Sequence, residues 1–302
     1  MYFHQHNIES AKSFFDEVIL HTLLETLKII PFLLITYLVM EFIEHKASGK
    51  INSFIKKSGK VGPLAGSLAG IVPQCGFSAI AANLYTGGVI TVGTAIAVFL
   101  STSDEMIPIL ISGNLPATAI LLILLYKLLC ATAIGFGTDF ILHTLGCKRD
   151  GICIDRLCES DGCGCDGGIV RSAIKHTVSI SLFLLLITFF INILIFFIGE
   201  ERLCGIMYDK APLSHIIAAL FGLIPNCSAS VALASFYQSG IITLGTMLSG
   251  LFSGAGVGLL VLFRVNRNIK ANLLITAYLV ICGIVFGIIA DVSGFSELVR
   301  AA

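Results

Sequence analysis

Charge is scarce in this chain, and the scarcity excludes whole classes of protein. Lys, Arg, Asp and Glu are 13% of the 302 residues, about half of the ~25% found in soluble domains. The 19 basic residues are balanced by 19 acidic ones, so there is no basic excess to neutralise phosphates and no nucleic-acid partner is expected. The AVILMFWYC set makes up 56% of the chain, and the mean hydropathy is +0.94. Disorder is incompatible with that composition. A soluble domain of this size could not hide so much apolar surface.

Other absences narrow the reading further. The first residues carry His4, His6, Glu9, Asp16 and Glu17 and lack a basic region followed by a short apolar run, so no cleaved signal peptide is expected. Alternating polarity of the barrel type is missing. No Gly-x-x-x-x-Gly-Lys-Ser/Thr run occurs, which leaves an ion gradient rather than a bound nucleotide as the implied energy source. Several of the ten cysteines lie inside apolar segments and do not read as a secreted disulfide framework.

What is present is a series of apolar stretches, at roughly 18–43, 61–86, 88–112, 116–142, 171–198, 212–238, 240–263 and 271–290, each near the ~20 residues that span a bilayer. The fold class read from them is an all-α multi-pass membrane protein. A polar insert rich in Cys, Asp and Gly divides the chain into a first transmembrane unit (1–142), the insert (143–170) and a second transmembrane unit (171–302).

The two units repeat. Gly70-Ile-Val-Pro-Gln-Cys-Gly-Phe-Ser78 aligns without a gap on Gly222-Leu-Ile-Pro-Asn-Cys-Ser-Ala-Ser230, and the 32-residue windows Gly70–Ser101 and Gly222–Ser253 share twelve identities at an offset of 152. The loop holding Lys46, Lys50, Lys56, Lys57 and Lys60 corresponds to one holding Glu200, Glu201, Arg202, Asp209 and Lys210. The loop holding Arg264, Arg267 and Lys270 corresponds to the uncharged stretch Ser112 to Pro116. Lys and Arg collect on the cytoplasmic side, so equivalent loops fall on opposite faces and the repeats are inverted. An odd number of crossings per half is then required. The expected solution breaks 61–86 at Pro73 and 212–238 at Pro225, where Pro removes a donor and disfavours helix before it. Each half then has about five helical pieces, with paired broken or re-entrant helices at the Pro-x-Cys motifs. This topology puts the N-terminus outside, the insert in the cytoplasm, and thirteen of the nineteen basic residues on the cytoplasmic face.

Three groups of residues could carry chemistry. The first is the pair of Pro-x-Cys-x-x-Ser elements: Pro73, Cys75 and Ser78, and Pro225, Asn226, Cys227 and Ser230. Read singly, Pro shapes a kink and Cys is a small buried apolar residue. Two copies facing each other near the midplane favour a substrate site built from helix ends, thiols and hydroxyls. The second is Ser101-Thr-Ser-Asp-Glu-Met106, which precedes Pro108. Carboxylates at membrane depth default to a functional reading. The repeat has Ser253-Gly-Ala-Gly-Val-Gly258 instead, so Asp104 and Glu105 are not needed by the scaffold. They suit a divalent cation, a proton, or both in exchange. The competing reading is a pair that snorkels to an interface or pairs with Lys127. The third is the insert, with Cys147, Cys153, Cys158, Cys163 and Cys165. Reduced cytoplasmic thiols could capture metal, yet the spacing lacks the Cys-x-x-Cys pairs of a zinc ribbon, and a flexible linker is the other reading. Asn83, Asn192 and His215 read as polar glue between helices.

The runs Gly70–Ser78, Ser101–Met106 and Pro225–Ser230 resemble a bacterial membrane family, the ten-helix heavy-metal exporters, also labelled manganese transporters and similar in plan to the arsenic permeases. The resemblance extends over nearly the whole chain, insert included. It implies a secondary transporter of the inner membrane, not an enzyme, with metal as cargo rather than as a permanent cofactor. It assigns no ligand residue by residue. Carboxylates and hydroxyls suit manganese, whereas thiols suit zinc or trivalent arsenic. Two other readings remain open at this point: a permease for a small anion or organic solute, and a membrane thiol-redox protein using Cys75 and Cys227. The partners expected are the metal ion and the lipid bilayer; the oligomeric state is not legible.

Overall fold

The structure, a computed structural model, describes residues 61–72, 76–103, 106–145, 169–198, 211–225 and 227–301, with part of 19–38. Pro73, Cys75, Asp104, Glu105, Asn226 and the five insert cysteines lie outside the described residues, as does the side chain of Cys227.

The described residues form helices and no strand. In chain order they are α1 (Gly62–Ile71), α2 (Gly76–Thr86), α3 (Val92–Ser101), α4 (Met106–Ser112), α5 (Ala117–Thr144), α6 (Ile169–Ile198), α7 (Ala211–Gly222), α8 (Cys227–Gln238), α9 (Leu244–Ser253), α10 (Val257–Val265), α11 (Ile269–Val292) and α12 (Phe295–Ala301). Among the described residues, five stretches are long and apolar enough to cross a membrane: Val92–Ser112, Ala117–Thr144, Ala173–Phe190, Leu244–Val265 and Ile269–Val292.

The exposed helix faces are apolar, and the hydrophobic core, with Phe99, Leu100 and Phe252 in it, also holds small and polar residues. On α6 the exposed residues Ile174, Val178, Leu182, Leu186 and Phe190 recur every four positions and form one stripe. Leu121, Leu125 and Leu129 do the same on α5. Water would not tolerate such continuous apolar faces, but lipid does. Inside, Ser67, Thr94, Ser101, Ser249 and Ser253 are buried. Ser67 Oγ lies 2.6 Å from Thr132 Oγ1, joining α1 to α5. The Tyr126 hydroxyl donates to Phe286 O across the two halves (2.7 Å).

α1 approaches α3 closely, and α7 approaches α9, because glycine sits where they cross. A Cβ on Gly70 would collide with Val98 O and Ser101 Oγ, and one on Gly222 would collide with Gly250 O and Ser253 Oγ. These are the same contacts 152 residues apart. Gly62 and Gly66 lie against Thr94, and Gly70 against Ser101, so α1 and α3 run side by side in one direction. α2 therefore returns from the end of α1 to the start of α3. Its turn closes with Gly88 at φ 72°, and Gly240 at φ 71° closes the matching turn after α8. Both are Schellman ends: the Gly88 N–H bonds Tyr85 O and the Val89 N–H bonds Leu84 O, while the Gly240 and Ile241 N–H groups bond Tyr237 O and Phe236 O.

One feature goes beyond the sequence expectation. The stretches 88–112 and 240–263, read as continuous, are each interrupted between helices: α3 stops at Ser101 and α4 starts at Met106, while α9 stops at Ser253 and α10 starts at Val257. Pro108 belongs to the first turn of α4, where its missing N–H costs no bond within that helix. In the second half the stop is made by Gly254 and by Gly256, whose φ is 51°.

Gly93→Ala would drive a Cβ into Gly135 O and the Asp139 carboxylate, and Gly245→Ala would do the same to Gly287 O and Asp291. Each substitution should cost about 1–3 kcal/mol and lower the detergent-solubilised thermal midpoint. Gly137→Ala, with nothing within 4 Å, should leave it unchanged or raise it slightly. Equal midpoints for all three proteins would contradict this packing.

Candidate cation site at the helix breaks

The two interruptions meet. Thr102 and Ser103, which follow α3, line a cavity with Ile224 before α8, Ser230 on α8, and Gly254 and Gly256 between α9 and α10. Its volume of about 10 Å³ is room for one water-sized species. Three lining residues, Thr102, Ser103 and Ser230, carry hydroxyls, and Ile224, Ala229, Leu233 and Leu251 make the rest of the lining partly apolar; hydroxyl and carbonyl oxygens are the ligand type that suits a hard cation.

The breaks release carbonyls. The Met106 N–H bonds Ser103 O, and the Ala255 N–H bonds Ser253 O, so neither reaches back four residues to Thr102 O or Leu251 O. Lys127 on α5, fully buried, supplies the missing donors. Its Nζ donates to Thr102 O (2.5 Å) and to Leu251 O (3.2 Å). The ammonium also sits 5.6 Å from the centre of the Phe252 ring. Other polar groups turn inward on the backbone: Thr102 Oγ1 donates to Val98 O (2.8 Å), Ser103 Oγ to Ser101 O (3.1 Å) and Ser253 Oγ to Ala219 O (2.6 Å).

Of the residues singled out from sequence, Ser230 lines this cavity. Ser78 is buried on α2 against Gly258, two residues beyond Gly256. Pro225 stands in the gap before α8. Among the described residues no three His, Cys, Asp or Glu side chains cluster as a metal site. Asn83 accepts from the Tyr37 hydroxyl (3.1 Å), the inter-helix role expected of it.

A second pair of sites was missed from sequence. Thr91 caps α3: its Oγ1 accepts from the Thr94 N–H (2.9 Å) and donates to Asp139 Oδ2 (2.6 Å), while the Gly93 N–H donates to Asp139 Oδ1 (3.0 Å). The start of α9 repeats this. Thr243 accepts from the Thr246 N–H (3.1 Å) and donates to Asp291 Oδ2 (2.5 Å), and the Gly245 N–H donates to Asp291 Oδ1 (2.8 Å). A carboxylate across a helix N-terminus satisfies orphan donors and complements the helix dipole. The second half adds His215, whose Nδ1 is 2.9 Å from Ser249 Oγ and whose Nε2 is 3.5 Å from Asp291 Oδ2; position 63 in the first half is Pro. The signal was available. Carrying the offset of 152 past Ser101 pairs Tyr126 with Tyr278, Cys130 with Cys282, Gly135 with Gly287 and Asp139 with Asp291, and it leaves Lys127 opposite Leu279.

Residues 16–152 match the model of a family described as "Putative, 10TM heavy-metal exporter". The match takes in Pro73, Cys75, Ser78, Asp104, Glu105 and Lys127 and ends inside the insert, so the resemblance read from the motifs holds over the first half. No curated protein and no solved structure matches the chain.

Asp139→Ala and Asp291→Ala each remove two hydrogen bonds to a charged acceptor at a helix start. Each should cost about 1–3 kcal/mol, read as a lower thermal midpoint of the purified protein. Loss from one substitution and none from the other would break the equivalence of the two clamps.

Proposed function

We propose that the chain is a secondary transporter that exports a divalent metal ion, manganese or another heavy metal, or a metalloid, across the bacterial inner membrane. Residues 16–152 are similar to an exporter family, and five apolar stretches are of spanning length. The observation that carries the reading is the meeting of two interrupted spanning stretches at one small cavity whose lining includes Thr102, Ser103 and Ser230. Irregular backbone at membrane depth is tolerated where it lines a cavity, and paired broken helices are where transporters hold their cargo.

In this reading the halves are inverted repeats. The contacts supporting that run in matched pairs. α1 lies on α3 as α7 lies on α9. α2 leaves the centre beside α10, with Ser78 at Gly258. α8 leaves it beside α4, with Gln238 Nε2 donating to Ile109 O (2.7 Å). Each Pro-x-Cys element is then the tip of a hairpin that enters and returns on its own side. Asp104 and Glu105 follow Ser103 directly in the chain and supply the carboxylates for cargo, a coupling proton or both. Cys75 and Cys227 supply soft ligands. The insert thiols gather metal on the cytoplasmic side. The anion-permease reading has less support, because Lys127 directs two donors at carbonyls.

Export is tested by cellular metal content and tolerance across Mn, Zn, Fe, Co and arsenite, with and without the intact gene. The expected result is lower content and higher tolerance for at least one of these, lost on Asp104→Asn or Glu105→Gln. No change for any of them would sink the transporter reading. Activity that survives both carboxylate changes but not Cys75→Ser or Cys227→Ser would replace the hard-cation site with a thiol site. Reporter fusions after Arg267 should report the cytoplasm; an external signal there would overturn the inverted topology.

A further inference from the structure

We propose that Lys127 is a tethered cation that occupies the transport site when cargo is absent, and that a metal ion binds only as the ammonium leaves the carbonyls of Thr102 and Leu251. The inference rests on the metal-transport reading and adds a residue that this reading does not use.

Four observations carry it. First, the charge is fully buried on a helix whose other face is apolar and exposed at Leu121, Leu125 and Leu129, an expensive position for a lysine. Second, the two carbonyls it holds come from different halves of the protein, one beyond the end of α3 and one in the last turn of α9. They are carbonyls that the helix breaks free from helical bonding. Carbonyls at helix ends are the groups that coordinate transported cations in broken-helix sites. Third, Thr102 and Leu251 also line the central cavity, so a cation there competes with the ammonium for the same dipoles and is repelled by its charge. Fourth, the second half carries no lysine at the matching place. The equivalent position is Leu279, buried as completely, while the neighbouring Tyr126, Cys130 and Gly135 are matched in the other half. The lysine and the acidic pair Asp104–Glu105 are thus charges that one half has and the other lacks.

The site holds one cation at a time. An ammonium on a flexible stem can withdraw without leaving the protein, and its return helps expel the metal on the far side of the cycle.

The test uses the purified full-length protein and measures Mn²⁺ and Zn²⁺ binding by equilibrium dialysis. Lys127→Met removes the competitor and keeps the bulk. It is expected to bind at least one of the ions about tenfold tighter or more and to export it more slowly in cells. A lysine that serves only to satisfy carbonyls predicts unchanged or weaker binding on this substitution, and that result overturns the inference. If Lys127→Met fails to give a helical, monodisperse protein, Lys127→Arg carries the test. Arginine holds both carbonyls with more donors and keeps its charge, so binding should weaken about fivefold or more; equal or tighter binding overturns the inference. Absence of binding by the wild-type protein to either ion overturns the metal-transport reading and this inference with it, whereas binding that is indifferent to residue 127 leaves that reading standing and removes this one.

Discussion

A helix interrupted inside a bilayer releases carbonyls that have no water to turn to, and the centre of this protein depends on how those carbonyls are met. Each unsatisfied backbone group at membrane depth costs several kcal/mol. Here two interruptions face each other, and one ammonium, that of Lys127, takes a carbonyl from each. The alternative, two continuous helices, would satisfy every backbone group locally and would leave no cavity between them. The breaks exchange local hydrogen bonding for a polar centre, and the lysine makes that exchange tolerable.

Around this centre the two halves build the same frame twice. Glycines at the crossings let α1 reach α3 and α7 reach α9 at backbone distance, which is how helices associate where the lipid gives no hydrophobic drive. Aspartates at the far ends of α5 and α11 pin the starts of α3 and α9. The helix starts are held by charge-assisted hydrogen bonds and the helix stops by glycine, polar residues and Lys127. Motion that alternates access would therefore have to preserve the clamps and change what happens at the stops. The clamps and the stops lie at opposite ends of the same ten-residue helices, so a rigid tilt of α3 or α9 about its clamp moves the cavity lining while leaving the anchor intact.

The features legible in the sequence were those that reside in residue type at a fixed spacing. Apolar runs of spanning length, the offset of 152 and the paired Pro-x-Cys elements needed only counting. The breaks after Ser101 and Ser253 were not legible in the same way. Hydropathy averages side chains and is blind to backbone hydrogen bonds, so 88–112 and 240–263 read as whole helices. The local signs were there, Pro108 on one side and Gly254-Ala-Gly256 on the other, but each is also compatible with a kinked crossing. Lys127 stood out as a charge in an apolar run. The two carbonyls it bonds did not, because they are main-chain atoms 25 and 124 residues away. A side-chain pattern cannot reveal a backbone partner that exists only because a distant helix has stopped. The acidic pair Asp104–Glu105 and Cys75 lie outside the described residues, so their reading still rests on chemistry and on the repeat.

The repeat also separates positions that the two halves share from positions where they differ. Duplication hands both halves the same packing requirements. Positions that still match, such as Gly135 with Gly287 and Asp139 with Asp291, serve those requirements. Positions that differ in charge at equal burial serve something that packing does not demand. Lys127 against Leu279 is the clearest case: both side chains are fully buried, on helices that meet equivalent neighbours, yet one carries a charge that the membrane penalises. In the sequence, Asp104 and Glu105 likewise stand opposite the uncharged Gly256 and Val257. On the proposed transport reading, the repeated frame supplies the packing and the unmatched charges supply what meets the cargo.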